Sequence, residues 1–384
     1  MNICIVTHRY PTPNDPSMFV FVDQLASAWA DLGHKIQIIN PIPFFVEYFD
    51  KKRYYKKEWT KLTQKGNSIT IFSPRYFRFS DRKIGFINTQ IISYYGFQRV
   101  VMQAIKRMKE KPDVLYSHFL PAGCHVGDIG ERLGIPSFCA FGESTLWSIQ
   151  NWNEKKVQIS LAKLSGIISV STENKRILVD NNLFRENDIG VFPNGVDHSL
   201  FYPRNKKETR KKYGFSECSF IGAYTGSFSD DKGILRAQEA AIKAGCIPMI
   251  YIGSGPCKPE GSNVLYSGIL QHEKIPEYLS AADFFILPTI AEGCCNAIIE
   301  AMACGLPIIS ANGAYNNDIL SDKYSIRTDP YDINAMIEAI RTLKDNPDRL
   351  EKMSAEAVMA SLRFDIVKRA SAIMEFIQSK AKEG

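Results

Sequence analysis

Two series of short, fully apolar segments, each alternating with longer helical patterns, constrain this chain more than any other feature. "ICIVTH" is followed by the helical pattern "FVFVDQLASAWADLG" and by "KIQIIN". Further on come "DVLYSH", a helix through "GDIGERLG", then "PSFCAFG" and "GIISVS". After about residue 216 the rhythm restarts: "SFIGAYTG", a helix "ILRAQEAAIKAG", "PMIYIG", "NVLYSG", "DFFILP", a helix through "NAIIEAMA", and "PIIS". Strands apolar on both faces must be covered on both faces, which predicts parallel sheets flanked by helices. Two such series predict two doubly wound α/β domains.

The length of 384 residues is sufficient for two hydrophobic cores. The turn-rich "IGVFPNGVDHSLFYP", followed by the charged run "RNKKETRKK", marks the boundary. It gives an N-terminal domain over residues 1–195 and a C-terminal domain over 196–363. A last helical pattern, about 364–384, either completes the second domain or packs back onto the first. With 45% hydrophobic and 23% charged residues the composition is that of a soluble globular protein. No apolar run approaches the roughly 20 residues that cross a bilayer, and "MNICIVTH" reads as a buried strand rather than a leader. A cytoplasmic location is the expectation. The nine cysteines include no Cys-x-x-Cys pair. They read as reduced, mostly buried apolar residues, not as a disulfide framework or a zinc site.

In a doubly wound sheet, ligands collect beyond the carboxyl ends of the strands, against helix N-termini. Three loops of the second half would lie there. "YTGSFSDDKG" carries Gly226, Ser227, Lys232 and Gly233; "YIGSGP" carries Gly253 and Gly255; "LPTIAEGCCNA" brings Glu292 and Gly293 to the start of a helix. A lysine beside exposed backbone amides suits a diphosphate. Glu292 precedes the helix and Glu300, eight residues later, lies about two turns inside it, roughly 10 Å further along. A ribose, two phosphates and a sugar span a comparable length. The pair therefore fits ribose hydroxyls at Glu300 and sugar hydroxyls at Glu292; equally, Glu300 fits a solvated helix face and Glu292 a favourable charge at a helix start.

Taken together, "EGCCNAIIEAMACGLPII" resembles the Glu-x7-Glu signature of family 4 glycosyltransferases, retaining nucleotide-sugar enzymes of the GT-B fold. The likeness extends over nearly the whole chain. "THRYPTPNDPSMFVFVDQLASAWADLGHKI", "DVLYSHFLPAG", "VFPNGVD", "GSFSDDKG", "IGSGP" and "ADFFILPTIAEG" are similar to the family's segments in the family's order. The resemblance implies two Rossmann-like doubly wound domains facing each other across a cleft, with the donor held by the C-terminal one.

Carried over residue by residue, it implies that Glu292 contacts hydroxyls of the transferred sugar and that Lys232, with Gly226, Ser227 and Gly253 in the neighbouring loops, holds phosphate. The backbone at Gly293, Cys294, Cys295, Asn296 and Ala297 would meet the diphosphate or sugar, Glu300 the ribose, and His118 the transferred sugar. His118 also reads as a hydrogen-bonded core histidine. Three positions depart from the family pattern. Ser227 stands where arginine is common, "PNDPSMF" replaces a Gly-Gly pair, and Phe141 stands where histidine is common. The implied reaction is transfer with retention, free of metal and of any cofactor besides the nucleoside-diphosphate sugar. Epimerisation at the same site, or a non-catalytic role in a glycosylation complex, are the competing readings.

Of the 47 Lys and Arg residues, 16 fall within residues 51–111, against 3 acidic ones. Aromatic residues interleave with these cations in "DKKRYYKKEWTKLTQKG" and "SPRYFRFSDRK". That mixture suits an anionic membrane surface or a lipid-linked glycan acceptor; a solvated face and nucleic acid are the other readings, nucleic acid the least favoured.

Overall fold

The structure is a computed structural model that describes residues 1–12, 18–45, 56–79, 83–84, 87–217 and 219–382. Most of "PNDPSMF", the basic residues within 51–55 and 80–82, and Cys218 lie outside the described residues. The chain forms two compact units, one of Met1–Phe192 with Ala370–Gly384 and one of Pro193–Arg369.

The first unit is built on an eight-stranded sheet. Its order is Ile189–Val191, Gly166–Ser169, Ser137–Phe141, Val114–His118, Asn2–Val6, Lys35–Ile39, Ser68–Phe72 and Glu58–Leu62. All neighbours are parallel except the last pair. The inner strands Asn2–Val6, Val114–His118 and Ser137–Phe141 are buried at every position, as their unbroken apolar runs require. The antiparallel hairpin Glu58–Leu62 with Ser68–Phe72 falls inside the basic stretch, where the sequence shows no apolar run. It forms because alternate side chains of Glu58–Leu62 are partly covered while the others face solvent. Lys61 reaches Asp23 Oδ2 at 2.6 Å from that edge.

From Ala370 onward the C-terminal helix Ile366–Lys382 belongs to this unit. Trp29 Nε1 donates to Ala370 O at 3.0 Å, Lys380 pairs with Asp188 at 2.8 Å, and Phe376 packs on Phe138 and Phe192.

The second unit has a six-stranded, wholly parallel sheet: Val264–Gly268, Met249–Ile252, Gly222–Thr225, Phe284–Leu287, Ile308–Ala311 and Ser325–Thr328. The start of its sheet is tied down by Arg210, which is buried. Its guanidinium donates to Asp283 Oδ2 at 2.6 Å and to the carbonyls of Ala281, Glu217 and Ser219. All three nitrogens of the planar fork are thereby engaged, which favours keeping the charge in the interior.

Among the described residues, no helix is long and apolar enough to cross a membrane.

Candidate active site

In the second unit, Gly222–Thr225 has Met249–Ile252 on one side and Phe284–Leu287 on the other. The chain leaves it in opposite directions across the sheet, which opens a crevice at the carboxyl ends of Gly222–Thr225 and Phe284–Leu287. The loops 226–233 and 288–295 leave the sheet there, and these are two of the three loops singled out in the sequence.

The third loop supports the first from behind. Gly226 N donates to Ile252 O at 3.0 Å, Phe228 N to Ser254 O at 2.8 Å, and Cys257 N to Phe228 O at 2.9 Å. The two backbones approach so closely that a Cβ on Gly253 would stand 1.9 Å from Gly226 O. Gly233 closes the first loop with φ of 71°, and a Cβ there would meet Pro288 O at 2.4 Å. Only glycine fits either place. Ile290 N then donates to Asp231 O at 2.9 Å, which draws the two crevice loops together.

That closure brings Lys232 to Glu292. Lys232 Nζ lies 2.7 Å from Glu292 Oε1 and 3.3 Å from Ala291 O. Burial works against the ammonium charge, but the Glu292 carboxylate outweighs it and the pKa of Lys232 is raised. The lysine is therefore a fixed positive charge at the crevice. It retains donor capacity, since an ammonium has three N–H groups. Tyr315 steadies the second loop, its hydroxyl donating to Thr289 O at 2.7 Å.

The helix Asn296–Ala303 starts just beyond Glu292, with Cys295 as an extended N-cap whose side chain makes no capping bond. Its first amides have no carbonyl to bond within the helix. Asn296 Oδ1 is buried without a hydrogen-bond partner among the described residues. Cys294 and Cys295 are buried, and burial pushes both thiols up, Cys294 to about 12. Neither is a nucleophile at neutral pH. Cys294 is held instead through its backbone, with Asn194 Nδ2 donating to its carbonyl at 3.0 Å.

Glu300 lies on the same helix, about one turn inside it and not two, because residues 292–295 are not helical, and it meets a partner that the sequence reading missed. His272 Nε2 is 3.2 Å from Glu300 Oε1. Burial lowers the pKa of His272, but the hydrogen bond and charge of Glu300, with Glu273 and Asp197, raise it overall. The available signal was its position: His272 follows Val264–Gly268, so it too stands beyond a carboxyl end of the sheet. Ser227 is solvent-exposed and contributes its carbonyl to the Tyr224 hydroxyl at 2.8 Å.

The second unit thus gathers Lys232, Glu292, the helix start at 293–297 and Glu300, while His118 belongs to the first unit. It ends the strand Val114–His118 and is buried, with its ring edge-on to Phe21 at 5.4 Å and Tyr116 at 5.1 Å. The next residue, Phe119, has φ of 70° and ψ of 149°, a conformation costing about 1–3 kcal/mol for a side chain of this size. Phe141 is fully buried in the core.

Comparison with known proteins gives the family of the chain. The model for glycosyltransferase family 4 matches residues 18–200, and the model for glycosyl transferases group 1 matches 260–358. The chain belongs to the family 4, group 1 glycosyltransferases. This glycosyltransferase is 25% identical over 400 aligned residues to TuaC of Bacillus subtilis, a glycosyltransferase assigned to teichuronic acid biosynthesis, covering 100% of this chain and 99% of TuaC. It is 29% identical over 296 residues to the Escherichia coli UDP-Gal:alpha-D-GlcNAc-diphosphoundecaprenol alpha-1,3-galactosyltransferase, covering 70% of this chain and 75% of that one.

The fold is GT-B. The structure is similar to Anabaena HepE solved with UDP and glucose, at a TM-score of 0.72 and 16% identity over 99% of this chain and 100% of that one. It is also similar to sucrose-phosphate synthase from Thermosynechococcus elongatus, at a TM-score of 0.75 and 15% identity over 98% of both chains.

Proposed function

We propose that this glycosyltransferase moves a hexosyl group, with retention, from a nucleoside-diphosphate sugar to a glycan or lipid-linked acceptor in surface polysaccharide or glycoconjugate synthesis. The observation that carries the reading is the arrangement along one helix. A lysine–carboxylate pair stands before its first turn and a histidine-held carboxylate about one turn further in.

A donor laid along this line has its diphosphate at Lys232 and the amides of 295–297. Its ribose hydroxyls donate to Glu300, and hydroxyls of the transferred sugar donate to Glu292. As the glycosidic bond breaks, negative charge grows on the leaving diphosphate. Lys232 and the helix start meet that charge without reorganising, an electrostatic contribution that does not call for a metal. The acceptor hydroxyl attacks from the face the diphosphate leaves, and the departing phosphate oxygen takes its proton. His118 is assigned to the transferred sugar. The relatives named for teichuronic acid and for a diphosphoundecaprenol acceptor support a polymer or lipid-linked product.

An aromatic, cationic face of the first unit supports association with an anionic membrane from the cytoplasmic side. Phe44, Phe45 and Phe77 are exposed and in mutual ring contact at 5.4–6.1 Å, with the exposed Lys56, Lys57 and Arg78 in the same region of sequence.

The test is donor turnover followed by NMR of the anomeric proton. Slow donor hydrolysis or transfer with the anomeric configuration kept, and lost in Lys232→Ala, is expected. Inversion of configuration, or turnover unaffected by Lys232→Ala, would contradict the mechanism.

A further inference from the structure

The chain enters the second unit at Pro193 and leaves it at Arg369. Inside that unit the two passages are tied into one strap. Arg369 Nε donates to Pro193 O at 2.7 Å, Val196 N to Phe364 O at 2.8 Å, and Ile366 N to Val196 O at 3.0 Å. Pro193 adds a fixed φ at the point of entry. Asn194, between Pro193 and Val196, is thereby held along the chain on both sides.

An asparagine in a turn ordinarily bonds backbone within about two residues of itself. Asn194 directs two donors to a residue 100 positions away. Its backbone N–H donates to Cys294 Sγ at 3.3 Å, and its side-chain Nδ2 donates to Cys294 O at 3.0 Å. Cys294 is buried and Asn194 half-buried, which limits competition from water.

The consequence lies on the other side of the same peptide bond. A trans peptide is planar, with its C=O and N–H pointing in opposite directions. Asn194 grips the C=O of the 294–295 peptide, which sets the N–H of Cys295 to point away from the strap. Cys295 is the N-cap of the helix Asn296–Ala303, and its N–H donates to no backbone carbonyl among the described residues. Lys232 and Glu292 stand at the same helix start. Rotation of the Cys294 ψ and the Cys295 φ together would exchange the two groups and aim a carbonyl oxygen where an anion belongs.

We propose that Asn194 is a positioning residue for sugar transfer, holding the 294–295 peptide so that the Cys295 N–H faces the diphosphate of the donor. The proposal rests on the transferase reading, since that reading supplies the diphosphate. The adjacent cysteines then act through the peptide they share, with the Cys294 thiol as a weak acceptor for the strap.

Cys294–Cys295 is the only adjacent pair among the nine cysteines of the chain, and this gives a direct probe. With cysteine labelled by carbon-13 at the carbonyl and nitrogen-15 at the amide, a carbonyl-to-amide correlation spectrum of the full chain holds a single peak, that of the 294–295 peptide. A nucleoside diphosphate is expected to move its amide proton downfield in the wild type, as a charge-assisted bond to phosphate forms. Asn194→Asp keeps the size and shape of the side chain but removes the donor from the Cys294 carbonyl, and Asn194→Ala removes the side chain. In both, the carbonyl signal should shift without ligand and the amide shift caused by the diphosphate should be lost. Affinity for the nucleoside diphosphate should fall about tenfold, while affinity for the free nucleoside, which has no phosphate, stays at the wild-type value.

A purely supporting role would lower the melting temperature, or weaken nucleoside and nucleoside diphosphate alike, with the amide shift intact. Either result overturns the proposal, as does unchanged diphosphate affinity in both variants. If a nucleoside diphosphate stabilises the wild type but leaves the amide signal in place, the positioning role fails and the donor site stands. If no nucleoside diphosphate stabilises the wild type or moves the peak, the transferase reading fails and takes the positioning role with it.

Discussion

Lys232 Nζ and Glu292 Oε1 are 2.7 Å apart, joined across two loops that leave neighbouring strands of one parallel sheet. The pair sets a competition. Lys232 is proposed for phosphate and Glu292 for sugar hydroxyls, yet each also holds the other in place. Glu292→Ala therefore frees Lys232 for phosphate while removing the sugar contact. Affinity for a nucleoside diphosphate should stay the same or tighten, while turnover of the nucleotide sugar falls by about 100-fold, as expected for losing charge-assisted hydrogen bonds in the transition state. Calorimetry with diphosphate and steady-state turnover read the two effects separately. Equal losses in both would mean that Glu292 acts only through Lys232.

His272 holds Glu300 at 3.2 Å, and its pKa is raised. Because the folded value lies above the unfolded one, the stabilisation is fully present below about pH 6.5. It is lost as pH rises through the folded value. His272→Ala should lower the melting temperature more at pH 6 than at pH 9, and should weaken a nucleoside diphosphate while leaving pyrophosphate unchanged. A pH-independent loss would contradict the ion pair.

Burial raises Glu143 from 4.5 to about 7. A buried carboxyl with a raised pKa is neutral in the fold at acid pH, so its stabilisation is present below about 4.5 and lost as pH climbs through 7. Glu143→Gln should gain melting temperature relative to wild type at pH 8 but not at pH 4.5. A difference that does not change with pH would contradict the buried carboxyl.

The exposed aromatic face carries its own prediction. Co-sedimentation with vesicles containing anionic lipid should exceed that with neutral vesicles, should fall with added salt, and should drop in the double substitution Phe44→Ser, Phe77→Ser. Indifference to lipid charge would rule out the membrane association proposed for this face.

Much of the fold was legible because its inner strands are buried on both faces and therefore read as unbroken apolar runs, "ICIV" and "FFIL" among them. The hairpin at Glu58–Leu62 escaped because an edge strand with a solvated face has no such run. Within the site, Lys232, Glu292 and Glu300 were legible because glycine-rich loops and one helix start mark their places in sequence. His272 was not. It meets Glu300 only when the sheet brings a distant loop against the helix Asn296–Ala303.

On the proposed mechanism the helix Asn296–Ala303 carries a nucleoside-diphosphate sugar, with Glu300 on the ribose. Thermal shift of the wild type and Glu300→Ala against a panel of nucleoside diphosphates and their sugars decides this. At least one nucleoside diphosphate is expected to raise the melting temperature of the wild type, and Glu300→Ala to lose most of the shift while still folding. No stabilisation by any member of the panel, or an equal shift in Glu300→Ala, would contradict it.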